Sequence, residues 1–385
     1  MRVVVIGSGI VGASAAYHAA GLGAETVLVD GPLAGEATAA GAGIVCPWVS
    51  AHEDPHWFRL AAEGARYYAP LAAELAEAGE PEFGYRRVGA LRVSADEAEP
   101  ALARERALAR RQSAADTGEL ELLAPDRAAE LFPPLAPGLH ALHIPAAARV
   151  DGRLLRAALR RQAERRGARV LTGRAELVRA GDRIAGVTLA GERLAADAVI
   201  AAAGAWTADL LAPHGIELPL APQRGQIVHL GLPGVDTARW PVILPGGTGH
   251  YLVPFGDSRV VAGATRETGA GFDHRVTAGG LAEVLVQALA VAPGLAGATH
   301  LETRVGFRPA AAGDRPLLGA VPGLAGLVLA TGLGATGLTM GPVAGRLAAA
   351  LAVTGTAPFD LAPYAPLGPA SPAPPSPAEP GTARD

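Results

Sequence analysis

The sequence predicts an α/β protein in which one domain, built on a parallel sheet, is interleaved with a second, β-rich α+β domain. Three observations carry that expectation. The chain opens with strand, glycine turn, helix and strand in close succession, between residues 2 and 30. Apolar runs that read as buried strands recur at 198–203 and 327–331, the last again followed by a glycine turn and an Ala-rich helix. From residue 218 onward short alternating strands are separated by Gly-Gly and Asp-Ser turns, the texture of an antiparallel sheet.

The opening stretch has the parts of a dinucleotide grip. Val3, Val4, Val5 and Ile6 make an apolar strand, Gly7-Ser8-Gly9-Ile10-Val11-Gly12 a turn, and an Ala-rich segment to about Leu22 a helix. Thr26, Val27, Leu28 and Val29 form a second strand that ends on Asp30. Gly7 permits the tight turn, Gly9 lets backbone approach a pyrophosphate, and Gly12 lets the helix pack close to the strand. The free N–H groups and positive end of the helix favour phosphate. Asp30, 18 positions after Gly12, is placed to accept hydrogen bonds from a ribose diol. A lone GxGxxG arises easily in a chain with 50 Gly; one flanked in register by two strands, a helix and a terminal acid does not. The motif marks a Rossmann-type site without saying which dinucleotide it takes.

Composition bounds the rest. Half the residues are hydrophobic, 18% are charged, and the formal net charge is −4. This describes a globular chain of roughly two domains, with no support for nucleic-acid or anionic-membrane binding. All 33 basic residues are arginine, and asparagine is also missing. A lysine-free chain excludes a Schiff-base lysine, the usual pyridoxal-phosphate attachment and a P-loop lysine. Cys46 is the only cysteine, so no intramolecular disulfide or cysteine metal cluster can form, which fits the cytoplasm. Beside Pro47 and Trp48 it reads as a buried small hydrophobe. No signal peptide or transmembrane segment is expected. His140 and His143 share a strand, but nothing nearby completes a metal site, so no metal is expected.

In chain order, residues 35–43 form a loop of small residues against which a bulky cofactor can lie. Residues 57–79 show helical spacing around Leu60, Ala61, Tyr68, Leu71 and Leu75, as one helix or a pair broken near Pro70. Residues 85–94 alternate as a strand, 96–115 form a charged surface helix, 125–132 a short helix and 139–144 a strand. Asp151-Gly152 opens an amphipathic helix to Arg166, closed by Gly167. A strand at 168–171 and a meander at 175–194 follow. Strands are expected at 226–230, 242–244, 250–254 and 259–264, a helix at about 278–291, and a strand at 303–309 carrying Arg304 and Arg308. The Pro/Ser/Ala-rich end cannot pack a core. The expected division is therefore 1–84, 146–218 and 300–361 as the dinucleotide-binding domain, 85–145 and 219–299 as the substrate domain, and 362–385 as a disordered tail. A substrate site at the interface follows.

The second glycine turn, at 332–337, narrows the dinucleotide. A nicotinamide enzyme has little use for it. In a flavin enzyme the positive end of the helix it opens can stabilise the negative charge of the reduced ring. Here the chain resembles the FAD-dependent oxidoreductases of the D-amino-acid oxidase family, which include glycine oxidase, sarcosine oxidase and D-amino-acid dehydrogenase. The matching pieces are VVVIGSGIVGASAAYHAA at 3–20, ATAAGAG at 37–43, ARVDGRLLRAAL at 148–159 and AAAGAW at 201–206. PQRGQIVHL at 222–230, HYLVP at 250–254, VGFRP at 305–309 and TGLGATGLTMGPVAGRLAA at 331–349 follow in the same order. Together they span about 360 residues and omit only the tail.

The resemblance implies that Gly7, Gly9, Ile10, Val11, Gly12 and Asp30 hold the ADP half of noncovalent FAD. Thr38, Ala39, Ala42 and Gly43 would line the pyrophosphate and flavin, and Gly204 would sit against the cofactor. Gly334, Thr336, Gly337, Leu338 and Thr339 would reach the isoalloxazine ring. Arg308 would grip the substrate carboxylate through its planar fork, with Tyr251 as the second substrate contact and Arg304 and His250 as structural neighbours. The implied reaction moves hydride from the α-carbon of a small amino acid or N-substituted amino acid (D-amino acid, glycine or sarcosine-like) to flavin. The imine then hydrolyses to the oxo acid, and oxygen, a quinone or a carrier accepts the electrons. An FAD-dependent 2-hydroxy-acid dehydrogenase and a non-autonomous flavin-binding subunit of an electron-transfer complex stay open as alternatives. Two departures matter. No cysteine beyond 46 can attach flavin covalently, and no lysine is present to speed reaction with oxygen. Leu333 also stands where many relatives carry a polar or aromatic residue.

Overall fold

A computed structural model of the chain describes residues 1–31, 33–110 and 117–367. Its first layer is a six-stranded sheet in the order Leu317–Ala320, Leu327–Thr331, Ala198–Ala201, Arg2–Ile6, Glu25–Asp30 and Arg169–Thr172. Five strands run parallel and Leu317–Ala320 pairs antiparallel at the edge. The N-terminal strand is central, with Val3 opposite Ala198 on one side and Thr26 on the other.

Strand alternation splits this apolar run between two faces. Val3, Val5 and Leu28 face a core built with Ala13, Leu155 and Leu347 from the helices Ile10–Gly21, Gly152–Arg165 and Gly337–Thr354. Val4, Ile6, Val27 and Val29 face the antiparallel meander of Ala175–Ala180, Arg183–Leu189 and Glu192–Ala195. The helix Gly152–Arg165 starts where the sequence predicts, because the Asp151 carboxylate accepts from Arg153 N at 2.9 Å and Leu154 N at 3.2 Å.

The second layer is an eight-stranded sheet, in the order Thr299–Ala311, Leu220–Gly231, Arg259–Gly263, Tyr251–Phe255, Val242–Pro245, Ala90–Ser94, His140–Ile144 and Glu121–Leu123. Helix Ala278–Val291 covers it through Val284 and Ala288, which pack with Val228, Leu230 and Ala262. The strand bearing Arg304 and Arg308 belongs here. It pairs along its length with Leu220–Gly231, from Leu220 opposite Ala311 to Gly231 opposite Thr299. The expected domain boundary at 300 thus lies inside strand Thr299–Ala311.

Other differences have local causes. Residues 85–94 are two strands, because Gly89 takes φ of +76° and redirects the chain. Arg86–Arg87 joins Ile44–Val45 and Ala148–Arg149 in a small sheet. Residues 57–77 lie in one helix, Pro55–Glu77, since Pro70 sits on its exposed face where water can take the freed carbonyl. Packing also extends past 361. Tyr364 is fully buried and its hydroxyl donates to His56 O at 2.6 Å. The rest of the expected tail, from 368, and the end of the 96–115 helix, at 111–116, lie outside the described residues.

Helix Gly337–Thr354 contains Pro342, which withdraws the donor that the Leu338 carbonyl would receive. The Tyr68 hydroxyl, from helix Pro55–Glu77, donates to Leu338 O in its place. Ser14 Oγ donates to Pro342 O at 2.6 Å. By length and composition the segment Gly334–Thr354 is apolar enough to cross a membrane, but 67% of its most apolar 18 residues are buried within the protein, as in a core helix.

Candidate functional site

Between the two layers runs a cleft of about 990 Å³, at the upper end of the range for ligand pockets. One end is the N-terminal glycine turn. Gly7 has φ of +98°, and a Cβ on Gly12 would lie 1.7 Å from Gly7 O, so the helix can approach the turn only with glycine there. Ile10 N donates to Thr38 Oγ1 at 2.9 Å, which ties the helix start to the small-residue loop. The Ser8 hydroxyl lines the cleft, is buried, and has no hydrogen-bond partner among the described residues. A buried orphan donor beside a helix start that has no side-chain cap fits a phosphate oxygen. Asp30 also lines the cleft and pairs with Arg160 at 2.9 Å.

Of the residues expected at the cofactor, Gly7, Gly9, Ile10, Val11, Asp30, Thr38, Ala42, Gly43, Gly204, Gly334, Gly337 and Leu338 line this one cleft. Four do not. Gly12 lies behind the turn as a packing contact. The Ala39 carbonyl accepts from Arg153 Nε at 3.0 Å, on the far side of the loop. The Thr336 hydroxyl turns back to Leu333 O at 2.8 Å, and Thr339 Oγ1 donates to Ile44 O at 2.9 Å. Cys46 is not among the lining residues, and burial pushes its thiol up to about 12.

At the other end stand Arg308 and Tyr251. Strand pairing puts Arg308 opposite Gln223 and Tyr251 opposite Gly263. The guanidinium lies over Gly225, where a Cβ would be 2.6 Å from Nη2, and the phenol ring lies over Gly263. Arg308 Nη1 donates to Thr265 O at 3.0 Å and to Gln223 Oε1 at 3.4 Å. No carboxylate among the described residues lies within ion-pair distance of it. Burial lowers its pKa, with the neighbouring Tyr251 hydroxyl opposing, yet arginine starts so high that the charge persists. Burial raises the Tyr251 pKa, so the phenol stays protonated as a hydrogen-bond donor.

The strand Thr299–Ala311 connects the two ends. A Cβ on Gly306 would be 2.7 Å from Ala40 Cβ, and Phe307 N donates to Gly35 O at 2.9 Å, both in the small-residue loop. Ala310 bridges to Leu333 in the second glycine turn. Arg308 is thus held between the two loops that flank the cleft. Of the residues expected to be structural, Arg304 pairs with Glu302 and His250 Nε2 lies 3.5 Å from Glu283.

The structure adds cleft residues to which the sequence reading gave no role. Trp206 stacks on Phe272 with ring centroids 5.0 Å apart, and Phe307 meets Phe272 edge-on at 5.3 Å. All three line the cleft, as does Arg266. Trp206 and Phe307 sit inside AAAGAW and VGFRP, so those motifs contain the signal; Phe272 and Arg266 lie in a loop without periodicity.

Comparison with known proteins fits this geometry. Residues 2–351 match the family model described as FAD dependent oxidoreductase, DAO. The chain is 46% identical over 362 residues to the uncharacterized oxidoreductase YurR of Bacillus subtilis, covering 94% of this chain and 97% of that protein. It is 32% identical over 378 residues to glycine oxidase of Pseudomonas putida, covering 94% and 98%. Among solved structures, iminodiacetate oxidase from Chelativorans sp. BNC1 superposes with a TM-score of 0.92 at 50% identity, over 96% of this chain and 100% of that one. The chain belongs to the DAO family of FAD-dependent oxidoreductases, and FAD is therefore its cofactor.

Proposed function

We propose that the protein oxidises the carbon beside the nitrogen of a small amino acid or N-substituted amino acid, with Arg308 gripping its carboxylate and Tyr251 donating a second hydrogen bond. The observation that carries this reading is Arg308 itself, a desolvated cation in the cleft wall with no carboxylate of its own. Such a group is costly unless an anion arrives, and a planar fork suits a carboxylate better than any other small anion. The enzyme activity is oxidoreduction, as in the rest of the family. The relatives named for glycine and for iminodiacetate support an amine bearing a carboxylate.

Bound FAD supplies the two-electron oxidant. The chain supplies placement: two fixed donors hold the carboxylate, which leaves the α-carbon one orientation relative to the cofactor cleft. Arg308 and Tyr251 both stay protonated, so neither removes the substrate's proton, and substrate enters as the neutral amine. Asp30 and Glu36, also on the cleft, are occupied by Arg160 and Arg156. Trp206, Phe272 and Phe307 add a cluster of apolar rings to the cleft wall.

FAD is held without a covalent bond, and oxygen or a diffusible carrier takes the electrons. The single free thiol suits a reducing compartment such as the cytoplasm. The test is anaerobic mixing of FAD-loaded protein with glycine, sarcosine, D-alanine, proline and lactate. Loss of flavin absorbance with an amino acid but not lactate is the expected result. Bleaching by lactate alone, or by nothing, overturns the reading, and hydrogen peroxide formation in air separates the two acceptors.

A further inference from the structure

The substrate end of the cleft carries a second arginine for which the carboxylate anchor has no use. Arg266 lines the cleft together with Arg308 and Tyr251. Its neighbours in sequence are firmly held. Thr265 O accepts from Arg308 Nη1 at 3.0 Å. Glu267 exchanges backbone hydrogen bonds with Arg224, at 2.9 and 3.1 Å. The Glu267 carboxylate is taken by Arg224 at 2.9 Å, Gln226 at 2.7 Å and Thr265 at 2.7 Å. Extended backbone sends successive side chains to opposite sides. Fixing Thr265 and Glu267 toward strand Leu220–Gly231 therefore turns Arg266 the other way, against Gly249, where a Cβ would lie 2.9 Å from its Nε.

Arg266 has neither a hydrogen bond nor an ion pair among the described residues. Its charge is felt at the anchor, where it acts to lower the pKa of both Arg308 and Tyr251. Arg266 is solvent-exposed where it lines the cleft, so with the desolvated Arg308 this end holds two positive charges, of which one carboxylate neutralises one. From this geometry we infer that Arg266 binds a second carboxylate, and that the preferred substrate is a small amine with two. One carboxylate stands beside the oxidised carbon; the other is on the second nitrogen substituent or on the side chain. This rests on the amine-oxidation reading above.

The chemistry balances with FAD as the oxidant. The α-carbon–hydrogen bond breaks and its electron pair leaves as hydride, reducing FAD by two electrons. The nitrogen lone pair closes a C=N bond. Water adds to that carbon and the C–N bond breaks, releasing an oxo acid and an amine. With an N-linked second carboxylate, the departing amine carries it away.

The experiment uses matched pairs that differ by one carboxylate: iminodiacetate against sarcosine, and D-aspartate against D-alanine. FAD-loaded protein is mixed anaerobically with each, and the bleaching rate is read against concentration. In one pair the dicarboxylate is expected to exceed its partner about tenfold or more in rate per unit concentration, mainly through a lower half-saturation concentration. In Arg266→Gln that ratio falls to about one, and Arg266→Lys recovers part of it. A merely structural role would slow both members of a pair and leave the ratio untouched, which would overturn the inference. So would equal efficiency within both pairs of the unmodified protein, although amine oxidation would then stand. Bleaching by no amine at all would remove both readings.

Discussion

Replacing Arg308 with alanine isolates the carboxylate anchor. Arg308 Nη1 donates to Gln223 Oε1 and Thr265 O, the guanidinium also bonds the Tyr251 hydroxyl, and no carboxylate among the described residues lies within ion-pair distance. Removing one partner of a buried ion pair costs about 3–5 kcal/mol, because the other charge is left unpaired. If the substrate carboxylate is that other charge, Arg308→Ala lowers kcat/KM by about 10²–10⁴. Arg308→Lys keeps the charge but loses the fork, and falls between the two. Cofactor retention is unaffected, since the Ser8 and Gly7 end of the cleft is untouched. The folded state is expected to hold its Tm or gain slightly, because a desolvated, unpaired cation has been removed. The assay is stopped-flow flavin reduction against substrate concentration, with FAD content checked by absorbance and Tm by calorimetry. A fully FAD-loaded variant with unchanged kcat/KM refutes the assignment. A large loss of Tm would show Arg308 to be a structural residue.

Other expectations are narrower. Tyr251→Phe keeps the ring over Gly263 but removes one donor, so KM should rise by about tenfold with Tm nearly constant; an unchanged KM speaks against substrate contact. Gly12→Ala places a Cβ against Gly7 O and should yield a protein of low Tm without flavin, checked by the absorbance of the purified chain. His18 is buried beside Tyr67, whose hydroxyl is 2.7 Å from Nε2, and burial, helped by Arg346 and Arg166, brings its pKa down to about 3. Its folded pKa lies below its unfolded one, so its contribution is complete above about pH 6.5 and is lost as pH falls toward 3. Tm measured over that window should fall more steeply in the natural protein than in His18→Gln, and parallel curves would contradict the assignment.

What could be read in the sequence was what is local. Each residue of the opening turn has a job set by its immediate neighbours, and Asp30 ends a strand whose register the apolar run determines. Arg308 and Tyr251 were legible only as a resemblance, since nothing in a strand's spacing tells which polar side chain faces a ligand. The phase of a helix start is equally silent. Thr336 and Thr339 stand in the glycine turn that flanks the cleft, yet their hydroxyls bond to Leu333 O and Ile44 O. Strand Thr299–Ala311, in which the expected boundary at 300 lies, finds its partner some 80 residues earlier, a pairing that no local pattern encodes. Arg266 and Phe272 escaped notice for a related reason: their loop is shaped by ion pairs from Arg224 to Glu267 and Asp273.

Strand Thr299–Ala311 works as a ruler. It touches the small-residue loop at Gly306 and Phe307 and the second glycine turn at Ala310, with Arg308 between those marks. The spacing between Arg308 and the two loops that flank the cleft is therefore set by a few covalently joined residues of one hydrogen-bonded strand. A shift of one residue along that ruler would turn the arginine to the opposite face of the sheet.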